Sequence, residues 1–221
     1  MSIKAVFWDS DNTLVDTGAL HWRKHLHVLA DLGIALHESD RPRIYTNNGQ
    51  QNWQWLVQER GLQLAKDDYL SLIDGWYSRH ITDVKMRSGI GVALELVAEA
   101  GLPQAVVSNG RRDSVMMALA VHHIPEKMVF VLCKEDYEGR KPDPAPYLAA
   151  LARLNDQLSL SITPDECLVI EDDPKGVRSG IAAGMKVIHR LLDADQPCVP
   201  DATACVFDES AFLAALKAQL S

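Results

Sequence analysis

The sequence predicts an α/β protein: a doubly wound, mainly parallel sheet with helices on both faces, and an all-helical block inserted near its start. Three observations carry this. The chain opens on an apolar run, Ile3, Ala5, Val6 and Phe7, that ends in two carboxylates, Asp9 and Asp11. From Gly18 to about Val84 the apolar residues recur only at helical spacings. From Gly89 onward, short strands rich in β-branched residues alternate with helices.

Taken in order, the opening run reads as a short buried strand. In the helical block, Leu20, Leu26, Leu29 and Leu32 recur until Gly33 stops them. Trp53, Leu56, Val57 and Arg60 precede Gly61, and Tyr69, Leu72, Ile73, Trp76 and Tyr77 follow. Downstream, the spacing predicts a helix over 90–100, a strand within 104–110 (QAVVSNG) and a helix over 114–120. The strand MVFVL (128–132), a helix over 146–154 and the strand ECLVIEDD (166–173) come next. A helix over 175–183, the strand MKVIH (185–189), a short strand near 204–207 and a helix over 210–220 complete the chain. The expected division is an α/β core of residues 1–16 and 86–221 and a helical domain of residues 17–85.

The 221 residues suit one large domain or a domain with an insert, and 47% apolar content is ordinary for a globular chain. A net charge of −8 argues against broad nucleic-acid binding and against an anionic membrane surface. No apolar stretch approaches membrane-spanning length and no leader pattern is present, so a cytoplasmic protein is expected. Cys133, Cys167, Cys198 and Cys205 form no CxxC pair. They are expected to be buried or incidental reduced thiols, and zinc is not expected.

In a parallel sheet the carboxyl ends of the strands share one edge, where ligands bind. Asp9 and Asp11 stand at the first such end and Ser108, Asn109 and Gly110 at the second. The loop after the third holds Lys141 in GRKPDP, and the fourth ends in Glu171, Asp172 and Asp173. Each group alone has a structural reading: an acidic turn, a polar turn, a solvated loop charge, a helix N-terminus. Four or five carboxylates converging with one lysine and one hydroxyl, however, require a divalent cation. Hard oxygen donors suit Mg²⁺ better than zinc.

With these residues in place, the chain resembles the haloacid dehalogenase superfamily of aspartyl-phosphate phosphotransferases. DSDNT (9–13) matches the first motif, Ser108 after Val106-Val107 the second, Lys141 in RKPDP the third and IEDD (170–173) the fourth. The ordered match runs from Ile3 to about His189 and implies a Rossmann-like core with a helical cap, in the branch of β-phosphoglucomutase and phosphoglycolate phosphatase. Asn12 stands where glycine is commonest; asparagine also tolerates positive φ, so the turn is expected to survive.

The resemblance implies Asp9 as nucleophile and Asp11 as general acid, then general base. Ser108, Asn109 and Lys141 would hold the phosphoryl group. Mg²⁺ would be held by Asp9, the Asp11 carbonyl and Asp172, with Glu171 close by or joining. Thr13 shapes the loop. An aspartate at position 11 sets the chain apart from true dehalogenases and favours a phosphatase or a phosphomutase.

In the cap, His21 falls where the β-phosphoglucomutase branch often carries a histidine; a plain helix-surface residue is the alternative. The stretch 46–55 is neutral, with Asn48 and Asn52 where that mutase has a basic pair, so hydrolysis is favoured. Asn48 and Gln51, with Asn47 and Gln50, are candidate readers of a small polar substrate such as a sugar or polyol phosphate. Trp53, Trp55 and Trp76 are read as cap core. A sugar phosphomutase and a non-catalytic phospho-ligand sensor are the competing readings. A monomer is expected, as in many relatives, with a dimer as the alternative.

Overall fold

The computed structural model describes residues 2–221. The chain divides into two compact units, one of residues up to Val15 together with Lys85–Ser221, the other Asp16–Val84.

In the first unit, β1 (Ala5–Trp8), β4 (Gln104–Val107), β5 (Val131–Leu132), β6 (Cys167–Glu171), β7 (Lys186–Arg190) and β8 (Ala204–Val206) form one sheet in the order β5-β4-β1-β6-β7-β8. All its pairings are parallel. Helices α5 (Ile90–Glu99), α6 (Arg112–Ala120), α7 (Ala145–Leu158) and α8 (Pro174–Ala182) lie between the strands, and α9 (Glu209–Leu220) follows the last of them. β1 is central and buried along its whole length, which is why its residues are apolar without alternation. Ala5 and Phe7 pack with Ala105, Val107 and Val169 against Tyr147, Leu151 and Leu154 of α7 and Val177 of α8. The strand order reverses at β1: β4 and β5 lie on one side, β6 to β8 on the other. That is a topological switch point, the place where loops part to leave a crevice.

Two further strands, β2 (Val15–Asp16) and β3 (Lys85–Met86), form a small separate sheet where the chain passes between units. Neither is predicted from the sequence, since two residues carry no readable period. The run MVFVL yields a strand only at Val131–Leu132; Pro125–Lys127 forms a turn of 3₁₀ helix, and Val129 and Phe130 already exchange backbone hydrogen bonds with β4. The helix beginning near Pro146 extends to Leu158, ending on Ser159 in a left-handed conformation (φ 54°).

The second unit comprises α1 (Gly18–Asp31), α2 (Arg41–Thr46), α3 (Gly49–Arg60) and α4 (Lys66–Arg79). Gly33 and Gly61 sit at positive φ (74° and 73°) just beyond α1 and α3, so the glycines that stop the periodicity do so by ending helices. α2 escapes the sequence reading because it is only six residues long. Trp55 and Trp76 are buried, as expected of core residues. His25 Nδ1 lies 2.6 Å from the Tyr69 hydroxyl. Burial lowers the His25 pKa, so its ring is neutral. No described helix is long and apolar enough to cross a membrane.

The cysteine expectation needs correcting. Cys198 and Cys205 are joined in a disulfide, while Cys133 and Cys167 are free and buried. Their spacing is unremarkable; the loop between β7 and β8 folds Cys198 back beside Cys205, which no local pattern records.

Candidate active site

The register of the sheet assembles the site. Trp8 pairs with Ile170 across β1 and β6, and the Asp9 amide donates to the Ile170 carbonyl at 3.0 Å. Asp9 and Glu171, each one residue further on, are therefore neighbours at the carboxyl edge. The carboxylates of Asp9, Glu171 and Asp172 lie within 4.8 Å of one another, all in buried residues.

Lys141 reaches this cluster from the loop before α7. Its ammonium donates to Asp9 Oδ1 at 2.6 Å, Glu171 Oε1 at 2.5 Å and the Val107 carbonyl at 2.8 Å, using all three protons. Asn109 braces it by accepting the Lys141 amide at 3.1 Å, and the Tyr137 hydroxyl lies 2.7 Å from the Ser108 carbonyl. Ser108 is buried, and its Oγ accepts from the Gly110 amide at 3.0 Å. A methyl group built on Gly110 would stand 2.7 Å from Val115 Cγ2 and 3.1 Å from Ser108 Oγ, so the absent side chain lets the Ser108 turn sit close against α6, with Asp11 Oδ2 3.5 Å away. Asp11 itself is only half-buried.

The turn between them is tightly held. Asn12 takes φ 58°, in the left-handed region anticipated from its type. Thr13 Oγ1 donates to Asp172 Oδ1 at 2.7 Å, so Thr13 ties the first motif to the fourth. Arg87 donates to the Asn12 carbonyl at 2.6 Å and to the Leu191 carbonyl at 3.1 Å. Arg190, fully buried, reaches the Thr13 and Ser88 carbonyls and lies over the Phe212 ring. Burial lowers its pKa to about 10, which still leaves it charged at neutral pH. The sequence reading missed Arg190, although a charge closing the apolar run of β7 was the available signal. Tyr147, whose hydroxyl is 3.0 Å from Glu171 Oε1, left no such signal.

Glu171 is occupied on both oxygens. Oε1 accepts from Lys141 and Tyr147, and Oε2 from the amides of Asp172 at 3.1 Å and Asp173 at 3.2 Å. It can ligate a cation only by giving up one of these partners. Burial raises the pKa of both Asp9 and Asp172, and the Glu171 charge adds to it. For Lys141, burial works against the charged form, but Asp9 and Glu171 outweigh it and hold the ammonium above its ordinary pKa. Three buried carboxylates cluster around one ammonium, which pairs with Asp9 and Glu171 but not with Asp172, and this leaves an excess of negative charge. The donors are all oxygen, so the residues fit a hard divalent cation such as Mg²⁺.

The space beneath Glu171 is filled. A methyl group at Gly176 would fall 1.7 Å from Glu171 Oε1, an overlap only displacement of the carboxylate relieves. Gly176→Ala is expected to cut turnover about a hundredfold, as ångström-scale misplacement does, and to destabilise by roughly 1–3 kcal/mol. Steady-state rates and a thermal melt check this; wild-type values for both would show that Glu171 does not need its present position.

The helical unit holds the other candidates. His21 is half-buried, with its ring stacked on Tyr77 at 4.8 Å. Asn48 and Gln51 are exposed and cap α3 reciprocally: Asn48 Oδ1 accepts the Gln51 amide at 3.0 Å, and Gln51 Oε1 accepts the Asn48 amide at 2.9 Å. Asn52 is buried and donates to the Ile44 carbonyl at 3.0 Å, which makes it part of that unit's interior.

The profile of the haloacid dehalogenase-like hydrolases matches residues 6–189, most of the chain. The chain belongs to this family. Among curated relatives of this hydrolase, 6-phosphogluconate phosphatase of Escherichia coli K12 is 26% identical over 197 residues, covering 86% of this chain and 84% of that protein. Hexitol phosphatase A of the same organism is 43% identical over 102 residues, 45% of this chain and 43% of that one. Among solved structures, CbbY from Rhodobacter sphaeroides in complex with phosphate superposes with a TM-score of 0.81 at 20% identity, covering 97% of this chain and 99% of that chain. This last likeness shows the fold.

Proposed function

We propose that this hydrolase is a Mg²⁺-dependent phosphomonoesterase that cleaves a small polar phosphate ester, such as a sugar or polyol phosphate, through an aspartyl phosphate on Asp9. The observation that carries the reading is the Lys141 ammonium bridging Asp9 and Glu171 with Asp172 alongside. An ammonium on one Asp9 oxygen opposes the rise that burial imposes on its pKa and aims the other oxygen at phosphorus. Relatives named as 6-phosphogluconate phosphatase and hexitol phosphatase support this substrate class.

Asp11, less buried than Asp9 and next to Gly110, protonates the leaving oxygen. It then takes the proton of the water that hydrolyses the aspartyl phosphate. Ser108 and Asn109, with Lys141, hold the phosphoryl oxygens. Asp9, the Asp11 carbonyl and Asp172 would hold Mg²⁺, with Glu171 beside them; the ion supplies neutralisation of the phosphoryl charge. Thr13 and Lys141 orient Asp172 and Asp9. His21, Asn48 and Gln51 are the helical unit's candidates for reading the substrate.

A panel of phosphate esters incubated with Mg²⁺ and assayed for inorganic phosphate tests the reading. A hexose 1-phosphate, if accepted, is expected to yield free sugar and phosphate with little 6-phosphate. The neutral side chains of residues 46–55 offer no charge-assisted grip on a second phosphate. Isomerisation faster than phosphate release would replace hydrolase with mutase. Binding of phosphate esters without turnover would leave the sensor reading.

A further inference from the structure

The row of residues that forms the carboxylate cluster continues across the sheet. Glu171 pairs with His189 on β7, and His189 pairs with Cys205 on β8. The loop between those strands brings Cys198 to a Cα separation of 5.9 Å from Cys205. The ligand atoms of His189, Cys198 and Cys205 lie within 4.8 Å of one another. We propose that these three residues form a second metal site, for a thiophilic divalent ion such as Zn²⁺, which the disulfide closes and reduction opens.

The imidazole is already oriented for ligation. His189 is fully buried, and its Nε2 lies 3.1 Å from the Asp172 carbonyl, a contact that places the proton on Nε2. Nδ1 therefore carries the lone pair, and it faces the Val199 amide at 3.3 Å and Cys205 Sγ at 3.9 Å. An imidazole that donates one N–H to a backbone carbonyl and offers the other nitrogen to the ion is the usual arrangement of metal-bound histidine. Coordination costs only the long Val199 contact. The Gln196 side chain also donates to the Asp172 carbonyl, at 3.1 Å, so that carbonyl keeps a second partner if the ring adjusts.

The donor set separates this site from its neighbour. Two thiolates and an imidazole select a borderline or soft cation, whereas Asp9, Glu171 and Asp172 offer only oxygen. Cys198 is exposed and Cys205 half-buried, which gives the ion a way in and leaves a coordination position open to solvent. Opening takes two electrons and two protons from a dithiol, whose own sulfurs join as a disulfide. The ion then displaces the two thiol protons. Cys133 and Cys167 are buried elsewhere and take no part.

The test uses Co²⁺ as a spectroscopic probe, with the full chain reduced by a phosphine, freed of reductant under anaerobic conditions and held in excess Mg²⁺. One equivalent of Co²⁺ is expected to produce thiolate-to-cobalt charge-transfer absorption, and Zn²⁺ to abolish it by displacement. The oxidised protein, Cys198→Ser and Cys205→Ser are expected to show no such band, and His189→Gln to bind Co²⁺ about tenfold or more weakly. Absence of the band in reduced wild-type protein, or its persistence in oxidised protein or in Cys198→Ser, would overturn the proposal. Cys198 is exposed, so its serine variant tests the site without disturbing the core.

Discussion

Asp9→Asn is expected to lower phosphate release by about a thousandfold or more while leaving the fold in place. The amide is nearly isosteric with the carboxylate, and its oxygen can still accept from the Lys141 ammonium, now 2.6 Å from Asp9 Oδ1. What it lacks is the electron pair that attacks phosphorus. The variant also removes one of three clustered carboxylates, so its metal-free melting temperature is expected to match or exceed the wild-type value. A purified variant, checked by mass spectrometry for deamidation, serves both measurements. Activity above about a hundredth of the wild-type rate would take the nucleophile role away from Asp9.

Removing Mg²⁺ with a chelator is expected to abolish turnover, and restoring it to stabilise the fold to a degree that depends on pH. Burial, with the Glu171 charge, raises the Asp9 and Asp172 pKa values in the metal-free protein above those of the unfolded chain. A carboxylic acid with a raised folded-state pKa contributes stability that is fully present below its unfolded pKa. That stability is lost as pH rises through the folded value. The cation holds the deprotonated pair, so the melting-temperature gain from Mg²⁺ should grow as pH rises. At a hundredfold excess over its dissociation constant the ion contributes about 2.7 kcal/mol, which for a chain of this size is about 5–10 °C. Melts across a pH series with and without Mg²⁺ measure this. A gain that shrinks with rising pH, or no gain together with full activity in chelator, would sink the metal argument.

Much of the core was legible because it depends on local pattern. The strands that run into Asp9, into Ser108 and, past Glu171, into Asp172 each announce a buried strand with a polar carboxyl end. Parallel pairing then requires those ends to share an edge, and the register places Asp9 beside Glu171. Asn12 at φ 58° was readable too, since few other side chains accept that conformation. The helical unit was readable in outline, but not Asn52: its amide lies at helical spacing like its neighbours, and only packing shows that it faces Ile44.

The sequence by itself determined the fold class, the order of the elements and the set of groups at the strand ends. Apolar periodicity and strand-end chemistry are properties of contiguous residues, and the parallel sheet turns their order into proximity. Tertiary structure alone decided how those groups are satisfied. Lys141 spends its three protons on Asp9, Glu171 and Val107. Glu171 is held by Tyr147 and two amides, and Gly176 leaves it room. Arg190 and Arg87 fasten carbonyls of the Asn12–Thr13 turn. The Cys198–Cys205 bond beside His189 belongs to the same class of fact. Apart from the Asp172 and Asp173 amides, each joins residues far apart in the chain or folds a loop back on itself. A partner reached through space leaves no period in the sequence to be read.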